Sequence, residues 1–313
     1  MTTNTSTAGG SAPEMNDKIS KEYPHLFTET AAFMDRPMNE KIRFVYADKF
    51  VLHESAKKVL GAMKDVYNRP RDVVRPPCLA VIGNSNEGKS AIAKRFFLDL
   101  GGDPTRFFGV HDEMPIVVVE MPPRATEPRV CLAIARALGL TAYGLATKSR
   151  MVTDNVMRAV ATKKVQMLIF SEFQHVSPLP KPERQVVYDL IKGISNHGVS
   201  IVGIGTQEAR TCMAEDEQIA NRLRVVRLTS FANDQEFRNF LHSLEHYYPL
   251  LKPSGLGTVA LANEVYARTN GITGEVVSLC NAAAAQAIRS GSPCIDLAVL
   301  KAASVLPTAC AAA

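Results

Sequence analysis

The chain has 313 residues, 46% of them hydrophobic and 21% charged, with ordinary Gly and Pro usage. This excludes a disordered or collagen-like class and predicts a soluble globular protein with one large domain and a smaller one. The net charge of +5 favours an anionic partner without identifying one, and the six cysteines (Cys78, Cys131, Cys212, Cys280, Cys294, Cys310) form no C-x-x-C pair and have no His at ligand spacing, which argues against a zinc site or disulfide framework.

Residues 1–24 open on a Ser/Thr/Gly-rich stretch without apolar period or signal-peptide pattern, so a disordered tail is expected. No later run approaches the ~18 apolar residues of a membrane span. The chain is therefore expected in the cytoplasm, where thiols stay reduced, without a membrane partner.

Residues 25–77 are expected to form an N-terminal helical extension. Within it Ile42, Val45, Val59, Leu60 and Met63 recur at mostly three- and four-residue intervals, before Pro70, Pro76 and Pro77 close the region.

Residues 78–230 alternate short apolar runs with helical stretches. The runs are 78–82, 116–119, 165–170, 200–204 and 224–228, and the helix candidates are 89–100, 128–138, 154–163, 181–195 and 207–222. Continuously apolar strands are buried on both faces, so this order predicts an α/β fold with a parallel five-stranded sheet covered by helices. Residues 231–306 carry four helical patterns and no strand signal, which predicts a small C-terminal helical lid before a tail over 307–313. Phe237, Phe240 and Tyr247, with His242 and His246 nearby, sit at helical spacing and read as packing residues; Ala282 to Ala285 mark a closely packed helix.

The strongest motif is Gly83-Asn84-Ser85-Asn86-Glu87-Gly88-Lys89-Ser90, which matches G-x-x-x-x-G-K-[ST] between a strand and a helix. Such a loop binds ATP: its glycines let backbone N–H groups and the helix N-terminus face the phosphates, Lys89 brings a mobile charge, and Ser90 is a Mg2+ ligand. The competing reading is an ordinary strand-to-helix turn.

A P-loop enzyme usually has a further strand ending Asp-Glu, the Asp on the magnesium side and the Glu on the attacking water. Here Met167 to Phe170 end in Ser171-Glu172. Glu172 is the candidate catalytic carboxylate, or else a solvent-facing loop residue. Ser171 could hold only a metal-bound water, through a neutral hydroxyl. Charged hydrogen bonds exceed neutral ones by about 1 kcal/mol, so hydrolysis slower by about 5- to 10-fold or more is expected.

The run ending Gly203-Ile204-Gly205-Thr206 is a third buried strand. Thr206 would face the γ-phosphate beyond its carboxyl end, or simply cap the next helix. Arg222, at a helix end before the last core strand, is a candidate arginine finger toward a neighbouring subunit, with Arg224 second; a surface salt bridge is the alternative. His175, three residues after Glu172, reads as a polar contact.

Taken together, these residues resemble the AAA+ family and, within it, TniB, the ATPase of transposons, related to TnsC and the bacteriophage Mu B protein. The resemblance spans roughly residues 25–305. It rests also on Met38-Asn39-Glu40-Lys41-Ile42-Arg43, Val118-Val119-Glu120-Met121-Pro122-Pro123 and the lid motif Asn270-Gly271-Ile272-Thr273-Gly274-Glu275. Ser171 departs from the family's Asp, and Gly274 stands where many lids carry a sensor arginine. The resemblance implies ATP and Mg2+ as cofactors and head-to-tail self-association on duplex DNA. It also implies recruitment of a TniA-like DDE transposase, with a TniQ-like targeting protein as a further partner. For DNA, Arg124, Lys148 and Arg150 are the best-placed cations, though each could be part of a merely solvated loop. An ATP-binding scaffold that hydrolyses weakly or not at all, and an AAA+ remodeller acting on protein, remain the alternatives.

Overall fold

The structure is a computed structural model and describes residues 22–69, 76–102, 113–140 and 149–304, with the side chains of 149 and 150 excepted. It divides into two compact units: residues 54–229, and a unit that joins residues up to His53 to those from Ser230 onward.

The first unit contains five strands, β1 (Cys78–Ile82), β2 (Ile116–Glu120), β3 (Met167–Ser171), β4 (Ser200–Gly205) and β5 (Leu223–Arg227). All pair in parallel in the order β2-β3-β4-β1-β5. The expected α/β sheet is therefore present. Because every strand runs the same way, the carboxyl ends Ile82, Glu120, Ser171 and Gly205 come together along one edge of the sheet.

The apolar runs explain the order of burial. Every residue of central β1 and β4 is buried, whereas edge strand β2 alternates, with Val117 and Val119 inside and Val118 and Glu120 exposed. Val117, Val119, Leu168, Phe170 and Ile201 share one core with Val130, Ile134, Val156 and Ile191 from the helices Glu127–Ala137, Ser149–Thr162 and Lys181–Ser195. The helix Glu54–Tyr67 packs instead against β1, β5 and the helix Lys89–Asp99, and Tyr67 meets Phe96 edge-on at 6.3 Å.

Two boundaries differ from the apolar pattern. β3 begins at Met167 rather than at Val165, because Lys164 adopts a left-handed conformation (φ 53°) and the Val165 N–H donates back to Val160 O to close the preceding helix. The run 207–222 is two helices, Gln207–Glu215 and Glu217–Ala220, since Asp216 (φ −91°, ψ 118°) leaves the helical region and accepts from the Gln218 and Ile219 amides.

Buried Asp216 also accepts from Lys192 Nζ at 2.9 Å and Gln185 Nε2 at 3.2 Å. Burial opposes its ionisation, yet Lys192, Gln185 and the Ile219 amide together hold the carboxyl below its ordinary value. Asp216→Ala is expected to cost about 2–4 kcal/mol in chemical denaturation near neutral pH, from a lost cap and a broken buried pair. A depressed folded pKa gives stability that is full above the unfolded value of about 3.9 and lost as pH falls through the folded value. The gap between the two proteins should accordingly close below about pH 4; a gap independent of pH would show that the charge does not matter.

The second unit comprises the helices Met38–Val45, Gln235–Glu245, Val259–Thr269, Thr273–Ser290 and Leu297–Ala302, with the short helix Thr28–Ala31. Val45, Phe237, Phe240, Leu244, Val265 and Leu279 are buried in one cluster. Phe240 lies 4.7 Å from the Phe231 ring and Tyr247 4.7 Å from that of Phe27, so these aromatics pack as their spacing indicates. Ala283, Ala284 and Ala285 are fully buried. Among the described residues no helix is long and apolar enough to cross a membrane.

Candidate functional site

The phosphate-loop residues leave β1 and enter the helix Lys89–Asp99 through left-handed conformations at Asn86 (φ 65°) and Gly88 (φ 85°). A Cβ on Gly83 would lie 2.6 Å from Glu87 Oε2 and 3.1 Å from Leu228 O, so only glycine fits where the loop crosses the strand ends. The Gly83 N–H donates to Gly205 O at 3.0 Å, which ties the loop to the end of β4.

Glu87 is 1% exposed and braces this loop from inside. Its Oε2 accepts from the Asn84 N–H at 2.8 Å and its Oε1 from Asn84 Nδ2 at 3.2 Å. Of the residues grouped with the phosphate site on sequence, Glu87 thus holds the turn, and the Asn84 amide is turned toward it. Lys89, 8% exposed, donates through Nζ to Gly83 O at 2.9 Å and Asn84 O at 2.5 Å. Burial holds the lysine pKa below its ordinary value, opposed only in part by Glu172 and Glu87. The ammonium is therefore pooled with two carboxylates in one electrostatic site.

Glu172 follows β3 in a left-handed conformation (φ 53°), which is uncommon for a residue with a side chain and marks a constrained position. Gln174 Nε2 donates to Glu172 Oε2 at 2.5 Å, and Gln174 Oε1 accepts from the Thr206 N–H at 3.3 Å. One amide side chain thereby links the ends of β3 and β4. A Cβ on Gly205 would clash with that Gln174 oxygen and sit 2.7 Å from Ala209 Cβ. Gly205→Ala should displace Gln174 and destabilise the unit by about 1–3 kcal/mol through overpacking, read as a lower midpoint in urea; an unchanged midpoint would mean the neighbours give way freely.

Thr206 is the N-cap residue of Gln207–Glu215, but its hydroxyl makes no cap hydrogen bond. That Oγ1 is buried and has no hydrogen-bond partner among the described residues. An unpartnered buried hydroxyl at a strand's carboxyl end fits a polar ligand better than a structural cap. His175 Nδ1 lies 2.8 Å from Met121 O, the polar contact expected of it.

Ser90, Glu120, Ser171 and Glu172 line one cavity of about 450 Å3 beside the helix Lys89–Asp99. Their hydroxyl and carboxylate oxygens are the hard donors that suit Mg2+. Among the described residues there is no cluster of three or more His, Cys, Asp or Glu that could hold a metal ion.

The profile of the bacterial TniB protein family matches residues 41–233, more than half of the chain. The chain belongs to the TniB family. Among curated proteins none matches it. Among solved structures, this TniB-family protein is similar to the Aeropyrum pernix ORC1 protein, solved in complex with DNA, with 17% identity, a TM-score of 0.60 and coverage of 84% of this chain and 68% of that one. The Aeropyrum pernix ORC2 protein, solved as ADPNP–ADP complexes, gives 13%, 0.62, 83% and 70%. Cdc6p from Pyrobaculum aerophilum gives 11%, 0.58, 80% and 67%. At these identities the likeness concerns the fold alone.

The remaining candidates in this TniB-family chain lie apart from the loop. The Arg222 carbonyl accepts from the Cys78 N–H, at the amino end of β1, the opposite end from Gly83. Five strand residues, about 16 Å, separate the two ends. Arg222 Nε donates to Gln218 O at 3.0 Å and Nη1 to Ser195 Oγ at 3.4 Å; Arg224 pairs with Asp65 at 3.1 Å on an exposed surface. Arg222 can act on a phosphate only if that phosphate belongs to another copy. Arg124 is exposed in a left-handed turn after β2 (φ 51°). Lys148 and the Arg150 side chain lie outside the described residues, so a three-cation DNA surface is not assembled here.

Sequence reasoning missed Gln174 and gave Glu120 no role of its own. The signal for Gln174 was weak: a glutamine two residues after the candidate carboxylate Glu172, opposite a Gly205 whose missing side chain makes its room.

Proposed function

We propose that this protein is an ATP-dependent regulator of DNA transposition. In this reading it binds ATP with Mg2+, assembles head to tail on duplex DNA, and recruits a TniA-like DDE transposase, with a TniQ-like protein as a further partner. The observation that carries the reading is the juxtaposition of Lys89, Glu172 and Thr206 at one sheet edge in a TniB-family chain.

Lys89 Nζ, already surrounded by main-chain oxygens, exchanges them for phosphate oxygens. Gln174 holds Glu172 Oε2, and in this reading Oε1 takes a proton from the attacking water. Thr206 Oγ1 gains the partner it lacks by donating to the γ-phosphate. Ser90 and the nearby carboxylates would hold Mg2+, which when bound offsets charge on the phosphates. Arg222 reaches the nucleotide of the next subunit, and the long distance to its own loop makes assembly part of catalysis. Arg124, with Lys148 and Arg150, meets DNA phosphates.

The test is electron microscopy of the full chain with duplex DNA in ATP, ADP or no nucleotide. ATP-specific oligomers on DNA support the reading, and DNA binding indifferent to nucleotide would defeat it. A second reading, an ATP-binding scaffold that does not turn over, is favoured by the uncharged Ser171. Phosphate release over time in the presence of DNA separates the two.

A further inference from the structure

β2 and β3 pair in parallel with Glu120 directly opposite Ser171. Partners in register on neighbouring parallel strands project to the same face about 4.8 Å apart. On β2 that face is Ile116, Val118 and Glu120, all of which line the cavity beside the helix Lys89–Asp99. The alternate residues Val117 and Val119 belong to the core on the other side of the sheet, although Val117, on this edge strand, also borders the cavity. Ser90 of the phosphate-loop motif and Glu172 line the same cavity.

We propose that Glu120, reaching across from the neighbouring strand, supplies the metal-side carboxylate that position 171 lacks. This rests on the reading of the loop as an ATP–magnesium site. Three observations converge on it: the register, the shared face, and the shared cavity with the phosphate-loop serine.

An aspartate at 171 beside Glu120 and Glu172 would place three carboxylates together, and like charges at that spacing disfavour one another. Serine removes the third charge. Its hydroxyl can donate to Glu120 or accept from a metal-bound water. Glutamate carries one methylene more than aspartate, which suits a group that must extend from the adjacent strand. The chemistry supplied is unchanged: an anionic oxygen next to the magnesium water shell, approached from β2 instead of β3.

The experiment titrates Mg2+ against full-length protein holding a fluorescent N-methylanthraniloyl ATP, and reads the half-saturating metal concentration. Glu120→Gln should raise that concentration by about 5- to 20-fold, since a charged acceptor becomes a neutral one. In EDTA its affinity for the same nucleotide should equal that of the unsubstituted chain. Adding Ser171→Asp to Glu120→Gln should return the metal requirement to within about twofold of the original.

A Glu120→Gln protein with the unsubstituted metal requirement overturns the proposal. So does one that has lost the nucleotide in EDTA as well, since Glu120 would then serve the loop or the fold, and so does a double variant that is not rescued. Failure of the underlying ATP reading looks different: the unsubstituted chain would then bind no nucleotide at any Mg2+ concentration.

Discussion

Lys89→Ala should weaken ATP binding at least about 100-fold and, with it, every nucleotide-dependent assembly on DNA. The ammonium lies buried at the mouth of the helix Lys89–Asp99, held by Gly83 O and Asn84 O. Charge-assisted hydrogen bonds contribute about 1.5–3 kcal/mol each, so two bonds to phosphate account for roughly 3–4 kcal/mol or more, a factor of 100 to 1,000. The loop itself should survive, because Glu87 still accepts from both nitrogens of Asn84 and the Gly83 amide still donates to β4. The measurement is calorimetric titration with ATP and Mg2+, beside a thermal melt to show an intact fold. An affinity within fivefold of the original would remove the ammonium from phosphate recognition.

Glu172→Gln should separate binding from turnover. Glutamine keeps the shape and can still accept from Gln174, but it cannot take a proton from water. General-base catalysis contributes about 10²- to 10⁴-fold, and a loss of that size in single-turnover hydrolysis is expected while ATP affinity stays the same or rises. A loss below tenfold would mean that water is activated elsewhere. The variant should also accumulate DNA-bound oligomers with ATP, since the step that ends the ATP state is removed.

The sheet and the place of the Gly83–Ser90 motif at the end of β1 were legible in the sequence for a physical reason. Central parallel strands must be apolar at every position, so Cys78–Ile82 and Ser200–Gly205 announce themselves, and the loop motif sits where the strand ends. Two kinds of information were not legible. One is the break at Asp216, where a single capping carboxylate with partners from a distant helix overrides a continuous helical pattern. The other is cross-strand register: nothing local to Val118–Glu120 shows that Glu120 lies opposite Ser171. Periodicity from Asn39 to Tyr67 likewise identifies helices without telling which partner each one packs against. Met38–Val45 joins the C-terminal helices, and Glu54–Tyr67 joins the sheet.

That last division makes the sheet unit an insertion in sequence between two parts of the helical one, with the chain crossing between them at residues 53–54 and 229–230. A fragment starting at Glu54 would retain the sheet unit but deprive the C-terminal bundle of Val45, a fully buried residue of its core. Deletion mapping from the amino terminus would therefore report defects in the carboxyl-terminal helices.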